Sequence, residues 1–278
     1  MRVNNFIPTI WTTTMLKERD RKYIAIKNCN RDYEGEIKQK GDTVKINSIG
    51  EITISDYVKN DFDTGLALQT LDDASTLLTI TEQKYFNFAV DDVDKAQANQ
   101  KLMKEAMRKS GLGLNNVADQ FIFNKYVDAG NTLTKTGVTS ANITQYIAEA
   151  LQILYENDVP EGEFIALEIT PAIYTKLVLA KIVKDTDNSD TLTNGKVGRY
   201  LNADIFLSNN VVKSGDQSHC ILRTRDAITY AEQIRETKAY ELGRDGFGDA
   251  VKGLMLYGCK TVKPAEMVHL DFTTTDEA

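Results

Sequence analysis

The segment from Asp91 to Tyr126, DDVDKAQANQKLMKEAMRKSGLGLNNVADQFIFNKY, constrains this chain more than any other. Val93, Ala96, Met103, Met107, Leu114, Val117 and Phe121 recur at alternating steps of three and four residues, with Gln100 and Ser110 at the missing steps. That spacing lines one side of an α-helix. Lys95, Lys101, Lys104, Glu105, Arg108 and Lys109 take the other sides. Unbroken from Val93 to Tyr126, the helix would run about 50 Å at ~1.5 Å per residue, against roughly 11 or 12 residues for a usual globular helix. A rod this long needs other segments laid along it, so it reads as the backbone of an extended, sheet-rich protein. Gly111 and Gly113 leave open a pair of ordinary helices broken at Ser110 to Gly113. Asp91, Asp92 and Asp94 fit the start of a helix, where free N–H groups collect.

The 278 residues allow one large domain or two moderate ones. With 42% hydrophobic and 26% charged residues and a mean hydropathy of -0.34, the chain reads as soluble and folded. No apolar run is long enough to span a membrane, and the first residues lack the apolar stretch of a signal peptide. Cys29, Cys220 and Cys259 are an odd number without paired spacing, which points to neither a disulfide scaffold nor a zinc module. A formal net charge of -7 argues against a surface that binds nucleic acid throughout, but allows a protein that lines a nucleic-acid compartment.

Residues 1–30 read as an arm, with Phe6, Ile7, Ile10 and Trp11 as anchors, Pro8 interrupting any ladder, and a short helix ending near Lys27. It could pack on a neighbour or on its own domain. Strand alternation follows: Val44 with Ile46, Ile52 with Ile54, then Leu78 with Ile80 and Phe86 with Phe88 and Val90. Gly41-Asp42 and Ser48 to Gly50 supply turns. The two parts could pair as a long antiparallel ribbon that gains stability on another subunit, or serve as edge strands of the domain sheet. After a short extended TLTKTGVT segment, the pattern becomes mixed α and β. Thr139 or Ser140 caps a helix that buries Ile143, Ile147, Leu151 and Leu154. GEFIALEIT is a strand, and Thr170 with Pro171 opens a helix whose apolar side is Ile173, Leu177, Leu179 and Ala180. ADIFLSNNVV, HCILRT and AITYAEQI are strands, the last two flanking an Arg-Asp turn. ETKAYELGRDGFGDA crosses back over the molecule, and VKGLMLYGCKTVKPAEMVHLDF closes the chain as two strands.

A search for catalysis comes back empty. The loop DTDNSDTLTNGK has oxygens at 185, 187 and 189, yet Asp190 replaces the glycine and Lys196 the glutamate that a calcium loop needs. His219 and His269, the only histidines, are far apart in sequence, and neither has a second ligand at metal spacing. His219 and Cys220 are neighbours in a strand and face opposite ways, which disfavours a nucleophile pair. No GxSxG, HExxH or phosphate loop occurs. Lys17, Arg19, Arg21 and Lys22 are interleaved with Glu18 and Asp20, which weakens a nucleic-acid contact.

Arm, ribbon and rod are parts suited to joining copies. In their order they resemble the major capsid proteins of tailed bacteriophages, of the Hong Kong 97-type α+β fold, a fold also shared by encapsulin shell proteins. FIPTIW looks like that family's N-terminal arm. RDYEGEIKQKGDTVKI with EITISDY looks like the rising part of its extended β-hairpin loop, and LLTITEQKYFNFAVDDVDKAQ like the return into its long spine helix. GKVGRYLNADIFLSNNV and AITYAEQIRETKAYELGRDGFGDAVKGLMLYGCKTVKPAEMVHL look like apical and peripheral-domain segments. The likeness spreads over nearly the whole chain, each phrase being weak alone.

The resemblance implies an arm at 1–30, an extended loop with an adjoining peripheral-domain strand at 31–90, and a spine helix with peripheral domain at 91–137. It implies an apical domain at 138–249, and peripheral-domain return strands with a tail at 250–278. It further implies a non-enzymatic subunit without cofactor or metal, which forms hexamers and pentamers in an icosahedral head. That head would enclose double-stranded DNA without sequence-specific binding, in a virion assembled in the bacterial host cytoplasm, with no membrane. An arm that begins almost at Met1 leaves no room for a cleaved scaffolding segment, so a separate scaffolding protein or none is expected, with a portal protein and decoration proteins as further partners. Arg31, Glu34, Lys38, Lys40 and Asp42 are the expected inter-subunit contacts of the loop. Lys38, Lys40 and Lys45, with Asn209 and Asn210, define no crosslinking pair. An encapsulin-like cargo shell and a phage tail or adaptor protein are the alternative readings.

Overall fold

Two sheets and one long helix organise the protein. The computed structural model describes residues 24–33, 42–49, 54, 73–91, 100–180, 196–241 and 248–275. Strands β1 (Thr43–Ile49) and β2 (Asp73–Thr79) pair antiparallel over their full length, Thr43 opposite Thr79 and Ile49 opposite Asp73. This is the expected ribbon, although Ser48 lies inside β1 rather than in a turn. The chain then runs almost directly into β3 (Glu82–Asp91), which joins β10 (Ile228–Glu241) and β11 (Gly248–Thr261) in an antiparallel sheet ordered β10-β11-β3.

The second sheet is mixed. Its strands are β4 (Asn131–Val138), β5 (Ile165–Ile169), β6 (Lys196–Tyr200), β7 (Ala203–Leu207), β9 (Gln217–Thr224) and β12 (Met267–Thr274), in the order β4-β12-β9-β5-β7-β6. The two-residue β8 (Lys213–Ser214) pairs beside β9. All five residues of β5 are buried, as befits a central strand covered on both faces. Helices α2 (Ile143–Glu156) and α3 (Pro171–Leu179) complete this layer. α2 buries Ile143, Ile147, Leu151 and Leu154 as its periodicity requires. Asn142 occupies its N-cap position, in place of Thr139 or Ser140. The Asn142 side chain accepts from the Thr139 N–H at 2.9 Å and donates to the Gly137 carbonyl at 2.9 Å, so it ties the preceding turn instead of the helix. α3 opens as read, with Thr170 Oγ1 accepting from the Ile173 N–H and Pro171 at the first turn. Leu179, expected on its apolar side, is exposed at the helix end.

The rod is α1, Gln100–Phe123, and it passes through Ser110 to Gly113 without a break. Ser110 returns its hydroxyl to the Ala106 carbonyl at 3.0 Å, and Gly111 is buried. The expected start near Val93 falls outside the described residues, which resume inside the helix at Gln100. Residues through Asp91 belong to β3, whose pairing with β11 extends to Asp91 opposite Gly248, and the first turn of α1 carries no acid. Val93, Ala96, Asp92 and Asp94 lie outside the described residues. The buried stripe also drifts from the expected one. Met107, Leu114, Ala118 and Ile122 are buried, whereas Val117 is 37% exposed. A straight helix at ~3.6 residues per turn slips about 20° per heptad against a strict 3,4 repeat, and at this end the slip moves burial from 117 to 118 and from 121 to 122.

β4 pairs with β12, so residues 131–138 belong with the mixed sheet. The segment ETKAYE does not cross the molecule but continues β10, which pairs with β11 along both strands past one bulge at Arg235. Within 250–278, β11 lies in the three-stranded sheet and β12 in the mixed one. The chain changes sheet at Arg225-Asp226, since β9 and β10 flank that turn in different sheets.

One core cluster spans α1, α2, α3, the mixed sheet and the 3-10 turn Ile26–Asn28. A second joins Val44, Ile46, Leu78 and Ile80 of the ribbon's foot to Ala231 and Leu256 of the three-stranded sheet. The crossing is tight at Gly258, where an added Cβ would lie 2.5 Å from the Thr79 carbonyl oxygen. Backbone cannot yield there as a flexible side chain could. Gly258→Ala is therefore expected to lower the unfolding free energy by about 1–3 kcal/mol, the usual range for overpacking, as read by urea denaturation; unchanged stability would show that the ribbon's foot is not pressed against β11.

Candidate interaction surfaces

Two apolar strands carry a charge that periodicity alone treats as a blemish: Glu168 in IALEI and Arg223 in CILRT. Both side chains are fully buried. Arg223 donates from Nε to Glu168 Oε2 at 3.1 Å and from Nη2 to Glu168 Oε1 at 2.9 Å, a two-pronged pair. Its remaining donors reach the root of the arm: Nη1 to the Asn28 carbonyl at 2.6 Å and Nη2 to the Ala25 carbonyl at 3.0 Å. Asn28 Nδ2 donates to Glu168 Oε1 at 3.0 Å. On the opposite side, Asp119 of α1 accepts from the Ile24 and Ile26 N–H groups, each at 3.4 Å. The short turn thus has an anion at its N–H end and a cation at its carbonyl end, the favourable sense for its dipoles. Residues 24–30 are held by their own chain. The expected anchors Phe6, Ile7, Ile10 and Trp11 lie outside the described residues.

The same environment explains the thiols. Burial pushes Cys29 up to about 11 and Cys220 up to about 12, so neither supplies thiolate at neutral pH. Among the described residues, no group of three or more His, Cys, Asp or Glu could hold a metal ion, and no helix is long and apolar enough to cross a membrane. The reading of the histidines as separate is corrected: β9 and β12 are neighbours, and His219 Nδ1 lies 3.1 Å from His269 Nε2. A single sequence holds no signal for a pairing between strands so far apart in the chain.

The open surfaces are of another kind. α1 packs Met107 against Val251 with Phe86 and Phe88, covering one face of the three-stranded sheet. On the other face Tyr85 is 77% exposed. It borders a shallow depression of about 370 Å³ with Asn87, Lys238, Lys252 and Leu254. Lys252 Nζ stands 5.0 Å over the Tyr240 ring, whose hydroxyl meets Asn87. On the ribbon, Leu77 is 56% exposed while its neighbour Leu78 is buried. A groove of about 670 Å³ runs beside α2, lined by Leu151, Tyr155 and Leu201. Leu201 exposes an apolar side chain from a left-handed backbone, φ 50°.

Of the expected loop contacts, Arg31 stands 3.8 Å from Glu232 of its own chain. The Asp42 carbonyl accepts from the Ile80 N–H at 3.0 Å, at the ribbon's foot. Glu34, Lys38 and Lys40 lie outside the described residues, as do the loop 185–195 and the basic cluster Lys17, Arg19, Arg21 and Lys22.

No protein-family profile matches the chain, and neither does any curated protein sequence. Solved structures do. A chain from Mycobacterium phage Che8 superposes with a TM-score of 0.69 at 24% identity, covering 90% of this chain and 91% of that one. A chain from the capsid of the cyanophage P-SCSP1u gives 0.67 at 17% identity, over 89% and 87%. A virus-like particle from Pyrococcus furiosus gives 0.57 at 12% identity, over 93% and 96%. The architecture is accordingly an α+β fold, and within that class it is the Hong Kong 97 type.

Two outcomes follow for the buried network. Arg223→Met strands the Glu168 charge and should cost about 3–5 kcal/mol, whereas Arg223→Met with Glu168→Leu should recover part of that loss; equal losses in the single and double variants by urea denaturation would contradict it. Burial raises the Asp119 carboxyl from 3.8 to about 7. A folded value above the unfolded one means the stabilisation is complete below about 4 and lost as pH rises through 7. Asp119→Asn should therefore gain on the native protein between pH 5 and pH 8; a constant difference across that window would exclude the linkage.

Proposed function

We propose that this chain is a major capsid protein, a structural subunit that self-assembles as hexamers and pentamers into an icosahedral phage head enclosing double-stranded DNA. The observation that carries the reading is the fold likeness over about nine-tenths of the chain to chains from phage capsids. The exposed face of the three-stranded sheet and the outer side of the ribbon supply surface for sister copies. In this reading α1 is the spine, the three-stranded sheet the peripheral domain and the mixed sheet the apical domain. Residues 1–30 form the arm. The loop, about 31–80, lies on the adjacent subunit and makes contacts through Arg31, Glu34, Lys38, Lys40 and Asp42. Each contact is modest, and repetition in a closed lattice adds them up. A formal charge of -7 suits a wall that contains DNA without adhering to it. A separate scaffolding protein, a portal protein and decoration proteins complete the head, which assembles in the host cytoplasm and ends as the virion shell.

The likeness to the Pyrococcus furiosus virus-like particle supports a second reading, an encapsulin-like compartment for protein cargo. Packaged contents separate the two, since nuclease-protected double-stranded DNA belongs to the first alone.

Electron microscopy of the purified, expressed protein should show closed shells. Replacing Arg31, Glu34, Lys38, Lys40 and Asp42 together by alanine should leave the far-ultraviolet circular dichroism of the subunit unchanged and reduce the shell yield severalfold; full yield would remove these residues from the interface.

A further inference from the structure

The chain contains two histidines, and the fold brings them together. His219 on β9 is opposite Asp271 on β12, and His269 precedes Asp271 by two residues, so all three share one face of the mixed sheet. His219 Nδ1 lies 3.1 Å from His269 Nε2 and 3.8 Å from Asp271 Oδ1. Gln217 Nε2 donates to Asp271 Oδ1 at 2.6 Å. The ring of Tyr126 covers both imidazoles, 4.5 Å from His219 at 10° and 4.8 Å from His269. Tyr126 belongs to the 3-10 turn Asn124–Asp128 that continues directly from α1. The stack is thus a joint between the end of the long helix and the mixed sheet.

We propose that the His219–His269 pair is a proton-operated latch, which loosens the end of α1 from the mixed sheet when both imidazoles become charged. A bond between two ring nitrogens needs one donor and one acceptor. The first added proton can go to an outward nitrogen, His219 Nε2 or His269 Nδ1, and the bond survives. The second must take the acceptor's lone pair. Two N–H groups and two positive charges then face each other at 3.1 Å in a mostly buried site, with the single carboxylate of Asp271, 3.8 Å from His219 Nδ1, to compensate. Parting the rings relieves this and removes the surface on which Tyr126 is stacked.

The groups facing the pair are few. From the 3-10 turn it is Tyr126, while Lys125 is engaged with Asp128 at 3.3 Å. From β4, Thr132 is opposite His269 and Thr134 opposite Asp271, and neither titrates. From β12 it is Asp271. Burial first, and the His219 ring second, hold His269 below its ordinary value of 6.5, with Asp271 opposing. A folded value below the unfolded one places the full contribution above pH 6.5, and it is lost as pH falls further. Because the two rings are coupled, the release follows the pair and not either residue alone.

The test is hydrogen exchange on the full chain, with protection of residues 121–128 corrected for intrinsic rates and compared between pH 7.5 and pH 5.0. The native protein should lose about tenfold in protection over that interval, and His219→Gln, which takes one charge out of the pair, less than twofold. Asp271→Asn keeps the acceptor for Gln217 but removes the compensating charge. Since Asp271 favours the charged form of His269, this variant should release at higher acidity, with its midpoint moved to lower pH. Loss of protection equal in His219→Gln and the native protein, or no loss in the native protein, would overturn the proposal. So would an unshifted midpoint in Asp271→Asn, which remains a usable readout should His219→Gln fail to fold.

Discussion

The bidentate pair between Arg223 and Glu168 is the contact on which the described structure turns. It joins two central strands of the mixed sheet, and Arg223 also donates to the Ala25 and Asn28 carbonyls at the root of the arm. A buried ion pair is a poor source of net stability, because desolvating both charges offsets their attraction. Its value here is in specifying an arrangement. A guanidinium with five N–H groups in a fixed plane is satisfied only when β5, β9 and the turn Ile26–Asn28 stand in one relation. Asp119 extends the same logic to α1, so that helix, arm root and sheet share one polar network inside an apolar core.

Around that network the chain builds two sheets with different tasks. The mixed sheet and the helices α1, α2 and α3 together contribute most residues of the main core cluster. The three-stranded sheet is covered by α1 on one side and open on the other, and the ribbon rests on it through a few apolar residues and one close backbone crossing at Gly258. Such an open sheet face leaves apolar surface that a single copy does not bury. The histidine joint lies where these two halves meet, at the end of the helix that runs through both.

Much of this was legible in the residues. The 3,4 spacing located the long helix, and the β-alternation of Val44, Ile46, Leu78 and Ile80 located the ribbon and its buried side. Thr170-Pro171 marked a helix start because the hydroxyl and the ring act on their own local backbone. The errors also have local causes. Asp91, read as part of the helix start, belongs to β3, because the pairing of β3 with β11 depends on residues 157 positions away (Asp91 with Gly248). ETKAYE was read as a crossing segment because its polar residues hide a strand open on one face. The burial stripe slipped from Val117 to Ala118 because side chains follow the real helical repeat.

Periodicity, capping and turn chemistry act over a few residues, and for that reason the chain's own order of residues specified many of the elements and their mixed α and β character. Partnership between elements depends on contacts between residues from 50 to 198 positions apart, which no local pattern encodes. That Arg223 would find Glu168 and Ala25, that His219 would meet His269, and that β11 and β12 would part into different sheets came only from packing in three dimensions, where a buried charge must reach its counterion and a strand must find an edge with matching register.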